Sequence, residues 1–85
     1  MAITNVLMKA IVNRQLYDIK LLMRQINKHD YDSARNTLAN MNSHIKGDLH
    51  IARQLYFESN CTESGLFYAQ CLKYKTEINK YNSKM

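Results

Sequence analysis

DSARNTLANMNSHIKGDLHIARQLYFE, residues 32–58, decides how this chain folds. Ala34, Leu38, Met41, Ile45, Leu49, Ala52 and Tyr56 recur in it at steps of four and three. At about 100° per residue these positions form one apolar stripe roughly seven turns long. The one apparent break is Gly47-Asp48, since glycine inside a helix costs about 1 kcal/mol relative to alanine. The phase argues against two separate helices. Ile45, Leu49 and Ala52 carry the stripe past the glycine without a skip, and Gly47 falls on the opposite side. The stretch therefore predicts one long helix, at most bent or locally weak at Gly47.

The flanking stretches predict two helices that cover this stripe. Upstream, a helix running from residue 3 or 4 to residue 28 carries Met8, Val12, Leu16, Ile19, Met23 and Ile26 as a core stripe, with Leu22 beside them. A second stripe lies off to one side: Ile3, Val6, Ala10, Tyr17 and Leu21. Two stripes exceed what one facing helix can cover. Either this helix packs against both others, or the second stripe is a surface for a partner. The turn His29-Asp30-Tyr31-Asp32-Ser33 ends the first helix and starts the next. Asp30 or Asp32 can accept from free amides there, and negative charge suits a helix N-terminus. A connection this short makes the two helices antiparallel.

A second break follows at residues 59–63. Asn60 with Glu63 fits a capping box, and Thr62 is a competing cap. The third helix then places Phe67, Cys71, Tyr74, Ile78 and Tyr81 at four-three spacing, flanked by Tyr68 and Leu72. Residues 82–85 are expected to fray. The fold class is all-α: three long antiparallel helices in an up-down-up bundle, forming one domain over residues 1–85. The segment INKHDYDSARNTLANM resembles a tetratricopeptide-type hairpin, with Ala34, Leu38 and Met41 at the small and apolar positions. The upstream helix lacks that family's small residue and no second copy follows, so the resemblance covers one hairpin and assigns no family.

Composition agrees with helix. The 85 residues include no proline, two glycines and no tryptophan. A chain of this size buries little more than about 60% of its unfolded surface, so association would help to complete its core. No apolar run reaches the roughly 18 residues of a membrane span. The N-terminal stretch is amphipathic without a secretory pattern, and no membrane partner is expected. Cys61 and Cys71, if both on the third helix, lie about 15 Å apart along its axis. A disulfide needs Cα atoms within about 7 Å, so free thiols and a reducing, cytoplasmic location are expected.

Catalytic signals are absent. Cys71 falls on an apolar seam, where a thiol is ordinarily buried and inert. His44 and His50 point in different directions on a helix, and no His-Glu-x-x-His or Cys-x-x-Cys occurs. Helix capping accounts for Asp30 and Asp32. The expectation is a protein that is not an enzyme and has no cofactor and no metal.

The net charge of +5 permits several anionic partners and selects none, but the arrangement of the basic residues is more informative. On the first helix Lys9, Asn13, Lys20 and Arg24 share a stripe opposite the core, with Lys28 nearby. Lys73, Lys80 and Lys84 do the same on the third. Such faces either keep a small bundle soluble or bind anions. The leading expectation is a small helical interaction protein. It would bind a protein partner, or itself as a homo-oligomer, through Ile3, Val6, Ala10, Tyr17 and Leu21, with Arg14 and Arg24 bordering the patch. The abundance of Asn, Lys, Ile and Tyr, all with A/T-rich codons, suits a phage-type accessory regulator or inhibitor of a host protein. The alternative is a basic bundle that holds nucleic acid or an anionic nucleotide on Lys9, Lys20, Arg24, Lys28, Lys73, Lys80 and Lys84.

Overall fold

A computed structural model describes residues 5–59 and 61–84. They form α1 (Val6–Asn27), α2 (Tyr31–Ser59) and α3 (Thr62–Lys84), an up-down-up bundle without strands among the described residues. Ile3, Asn60 and Met85 lie outside the described residues.

The middle helix runs through Gly47 without interruption. Its 29 residues at about 1.5 Å each span roughly 43 Å, which matches the bundle's longest dimension of 42 Å. Ala34, Leu38, Met41, Ile45, Leu49 and Ala52 are buried as the stripe requires, whereas Tyr56 is exposed at its end. Gly47 is exposed, and a Cβ built there would meet nothing within 4 Å. The glycine faces water and leaves the buried stripe of α2 uninterrupted.

Capping sets the other boundaries. α1 begins later than its periodicity suggests, because the Asn5 side chain accepts from the Met8 N–H at 3.1 Å. The Asn5 backbone N–H also donates to the Glu63 carboxylate at 2.7 Å, which ties the start of α1 to the start of α3. α1 ends in a Schellman arrangement. The Asp30 N–H bonds the Gln25 carbonyl and the His29 N–H bonds that of Ile26, with His29 at the left-handed φ of 59°. Asp30 then caps α2 through Ser33 N–H, 3.4 Å from its carboxylate. Asp32 is fully exposed and pairs with Arg35. α3 extends to Lys84, so residues 82–84 are helical.

The core is a single cluster drawn from all three helices. Phe67, Cys71, Tyr74 and Ile78 are buried as α3's spacing predicts, with Tyr81 half-buried. α1 is rotated from the expected phase. Met8, Ile11, Gln15 and Leu22 are its buried residues, while Leu16 and Met23 stand 45% and 47% exposed. The buried positions follow steps of three, four and seven, and Gln15 disguises the pattern because it is polar. α2 packs closely along both neighbours, whereas α1 and α3 meet over a much shorter contact.

Candidate functional site

Three features stand out once the helices are assembled. The first is a polar layer across the middle of the core. Arg14 and Gln15 of α1 both donate to the buried Asp48 carboxylate of α2, the Gln15 amide at 3.0 Å. The same Gln15 amide lies 3.4 Å from the Cys71 sulfur of α3. The Tyr74 hydroxyl, also on α3, donates to Asp18 of α1 at 2.9 Å. Gln15 is fully buried, and its Oε1 together with Arg14 Nη1 has no hydrogen-bond partner. Burial opposes the Arg14 charge, but the bond and the negative charge of Asp48 outweigh it and raise the guanidinium's pKa. Burial pushes the Cys71 thiol up, with the Gln15 bond pulling the other way. Burial also raises the Tyr74 hydroxyl, reinforced by Asp18. These groups are held in their resting protonation states, which suits structure better than proton transfer.

Sequence reasoning placed Arg14 on the rim of a partner surface. In the structure it is turned inward and engaged by Asp48. Gln15 and Asp48 went unrecognised. The signal was present, because both sit where a seven-residue repeat would put a core side chain.

The second feature is the outer surface of α1. Val6 and Tyr17 are 83% and 63% exposed, Ala10 is exposed and Leu21 half-buried. By helix phase, Leu16 and Met23 form a second exposed apolar strip on the other flank, and Lys9, Asn13 and Lys20 run between the two. Arg24 and Lys28 extend this basic ridge and are exposed. The α3 cations Lys73, Lys80 and Lys84 are exposed as well. Among the described residues no side-chain hydrogen bond or ion pair engages any of these cations. Lys80 sits 5.6 Å from the ring of its neighbour Tyr81.

The third feature is a groove of about 420 Å³ between α2 and α3. Ile45, Leu49 and Ile78 form its floor, and Asn42, Ser43, Lys46, Lys75 and Asn79 its walls. A smaller hollow of about 190 Å³, lined by Arg35, Leu38, Ala39, Asn42 and Asn82, adjoins it along the same seam. Asn42 and Asn82 exchange side-chain hydrogen bonds of 3.3 Å at the junction. Reading one helix at a time misses this groove, because its walls come from two helices.

Both thiols are free, Cys71 buried and Cys61 exposed. The Ser64 hydroxyl bonds the Cys61 sulfur and its backbone, which lowers that thiol's pKa. Among the described residues no group of His, Cys, Asp and Glu could hold a metal ion. No described helix is long and apolar enough to cross a membrane. No protein-family model, curated protein or solved structure matches the chain.

Proposed function

We propose that this chain is a small non-catalytic interaction protein that docks another protein, or a second copy of itself, through the outer surface of α1. The observation that carries the reading is the exposure of Val6, Leu16, Tyr17 and Met23 on the outer side of a helix that buries its other side. These account for four of the ten large apolar side chains exposed among the described residues. Water contact with so much apolar surface on one helix is unfavourable, and burial against a partner removes it at about 25 cal/mol per Å². The basic ridge between the two strips selects a partner groove with apolar walls and an acidic floor, the helix-in-groove mode. Tyr17 is the natural anchor, since tyrosine buries a large ring without losing its hydroxyl's access to the rim. A protein of this kind acts by occupying a surface, which fits an accessory regulator or an inhibitor.

The test uses Tyr17→Glu and Leu16→Glu, followed by light scattering, circular dichroism and capture from source lysate at two salt concentrations. Both side chains are exposed, so helicity should be retained. Loss of a specific captured protein, or a fall in mass to that of one chain, supports the reading. Unchanged mass and unchanged capture in both variants would overturn it. Capture that disappears only at high salt would instead point to phosphate-dominated binding.

A further inference from the structure

We propose that the groove between α2 and α3 binds a small phosphomonoester carrying an apolar or planar body. A nucleoside monophosphate and an alkyl phosphate are the two simplest forms of that chemistry. None of the lining residues belongs to α1, so this site is independent of the docking surface.

The argument begins with register. Three cross-seam pairs fix how α2 and α3 run past each other: Asn42 with Asn82, the Asp48 carbonyl with Cys71, and Arg53 with Tyr68. In that antiparallel register Lys46 stands level with Lys75 across the groove. Both lysines border one groove, and two like charges on its opposite walls repel. Among the described residues neither lysine has an ion pair, although the groove has room for one. Asp18 and Asp48 pair with Arg14, and Asp32 pairs with Arg35, so these carboxylates are committed elsewhere. The arrangement is completed by an anion supplied from outside.

Charge and shape narrow the anion. A phosphomonoester carries about −1.5 to −2 at neutral pH, which matches two lysines, and it has three acceptor oxygens. A carboxylate would leave one lysine uncompensated, and so would a phosphodiester. The Asn79 amide and the Ser43 hydroxyl add neutral donors on the same walls. Below them, Ile45, Leu49 and Ile78 offer an apolar floor that a bare phosphate ion would not use. A volume of about 420 Å³ lies within the range of small-molecule sites, roughly 300–1,000 Å³.

Titration calorimetry tests this on the full chain with four probes: adenosine monophosphate, hexyl phosphate, adenosine and inorganic phosphate. Saturable binding of either phosphomonoester is expected, at least about tenfold tighter than inorganic phosphate or adenosine. Preference between the two phosphomonoesters then distinguishes a planar from an aliphatic body. Lys46→Gln and Lys75→Gln should each weaken binding about tenfold or more, and Lys80→Gln on the outer face should leave it unchanged. All three lysines are exposed, so the variants should keep their helicity. Amide shifts on titration should fall at residues 42–49 and 75–79. Failure of both phosphomonoesters to bind saturably overturns the proposal. So does binding that Lys80→Gln weakens as much as Lys75→Gln, because that describes a diffuse basic surface.

Discussion

Replacing Asp48 by alanine should unfold this protein more readily than any change on its surface. Asp48 receives the Arg14 guanidinium and the Gln15 amide, and its side chain is 6% exposed. Hydrogen bonds to a charged group contribute about 1.5–3 kcal/mol each. Removing one partner of a buried pair costs about 3–5 kcal/mol, because the other is left uncompensated. Arg14 is 30% exposed and can recover water, whereas Gln15 is fully enclosed and would keep only its contact with the Cys71 sulfur. The lower end, about 3 kcal/mol, is therefore expected. A chain of this length has about 4–13 kcal/mol of stability in all. Its melting temperature should fall by roughly 12–24 °C. Urea denaturation and thermal melts, both followed by circular dichroism, measure the two quantities. A loss below about 0.5 kcal/mol, the level of an ordinary surface substitution, would refute the account of the layer.

The companion variant removes the Asp48 cluster and leaves the Tyr74–Asp18 bond in place. Arg14→Met, Gln15→Leu and Asp48→Leu together leave no buried charge at position 48 to compensate and no orphaned Gln15 oxygen. Apolar replacement of a buried ionic cluster is often neutral or stabilising by about 1–4 kcal/mol. The triple variant should thus recover wild-type stability even though Asp48→Ala alone does not. A triple variant as weak as the single one would show that the layer contributes net stability. With stability recovered, the layer's role becomes alignment, visible as a change in mass or in the number of native resonances.

Four further outcomes are expected. Gly47→Ala should stabilise by about 0.5–1 kcal/mol, since the position is helical, exposed and open to a Cβ; a decrease in the urea midpoint would contradict this. His29→Gly should stabilise by up to about 1 kcal/mol by relieving the left-handed φ, unless the 2.9 Å contact between the His29 ring and the Tyr31 hydroxyl offsets it. Because folding raises the Tyr74 hydroxyl and the Cys71 thiol, their contribution is complete below the ordinary values of 10.0 and 9.0 and is lost as pH rises through the folded ones. Melting temperature should accordingly fall on the alkaline side, and less steeply in Tyr74→Phe than in wild type. A thiol reagent should label one cysteine, Cys61, in the native protein and both after unfolding. Rapid labelling of both in the native state would mean that Cys71 is not enclosed.

What could be read from residues alone depended on whether one helix was enough to read it. The α2 stripe was legible because its apolar period survives intact from Ala34 to Ala52, and Gly47 lies off that stripe. α1 was misread because apolar character and core position do not coincide there. Leu16 and Met23 fit a hydrophobic stripe but face outward, while Gln15 faces inward. A buried glutamine becomes intelligible only when Asp48 of α2 and Cys71 of α3 arrive beside it. The groove was invisible for the same reason. Phase along a single helix groups Lys73 with Lys80 and Lys84, whereas Lys75 acquires its significance from Lys46 on another helix.

These two failures have a common cause, and it links the core to the surface. The register that sets Lys46 level with Lys75 is held in part by the contact of Cys71 with the Asp48 carbonyl. An apolar seam of Leu, Ile and Phe tolerates sliding by one heptad, because each side chain finds a similar hole. A polar layer does not: a slip of α3 would carry Cys71 away from the Gln15 amide, and a slip of α1 would take Arg14 and Gln15 from their acceptor. The buried layer therefore fixes the alignment on which the groove depends. Its removal should leave helicity intact and yet erase the preference for a phosphomonoester. The triple variant tests this coupling: stable, helical and unable to discriminate hexyl phosphate from inorganic phosphate is the expected result. Retained discrimination would show that Asn42–Asn82, Arg53–Tyr68 and the contact of Cys71 with the carbonyl of residue 48, all left in place by the variant, hold the register without it.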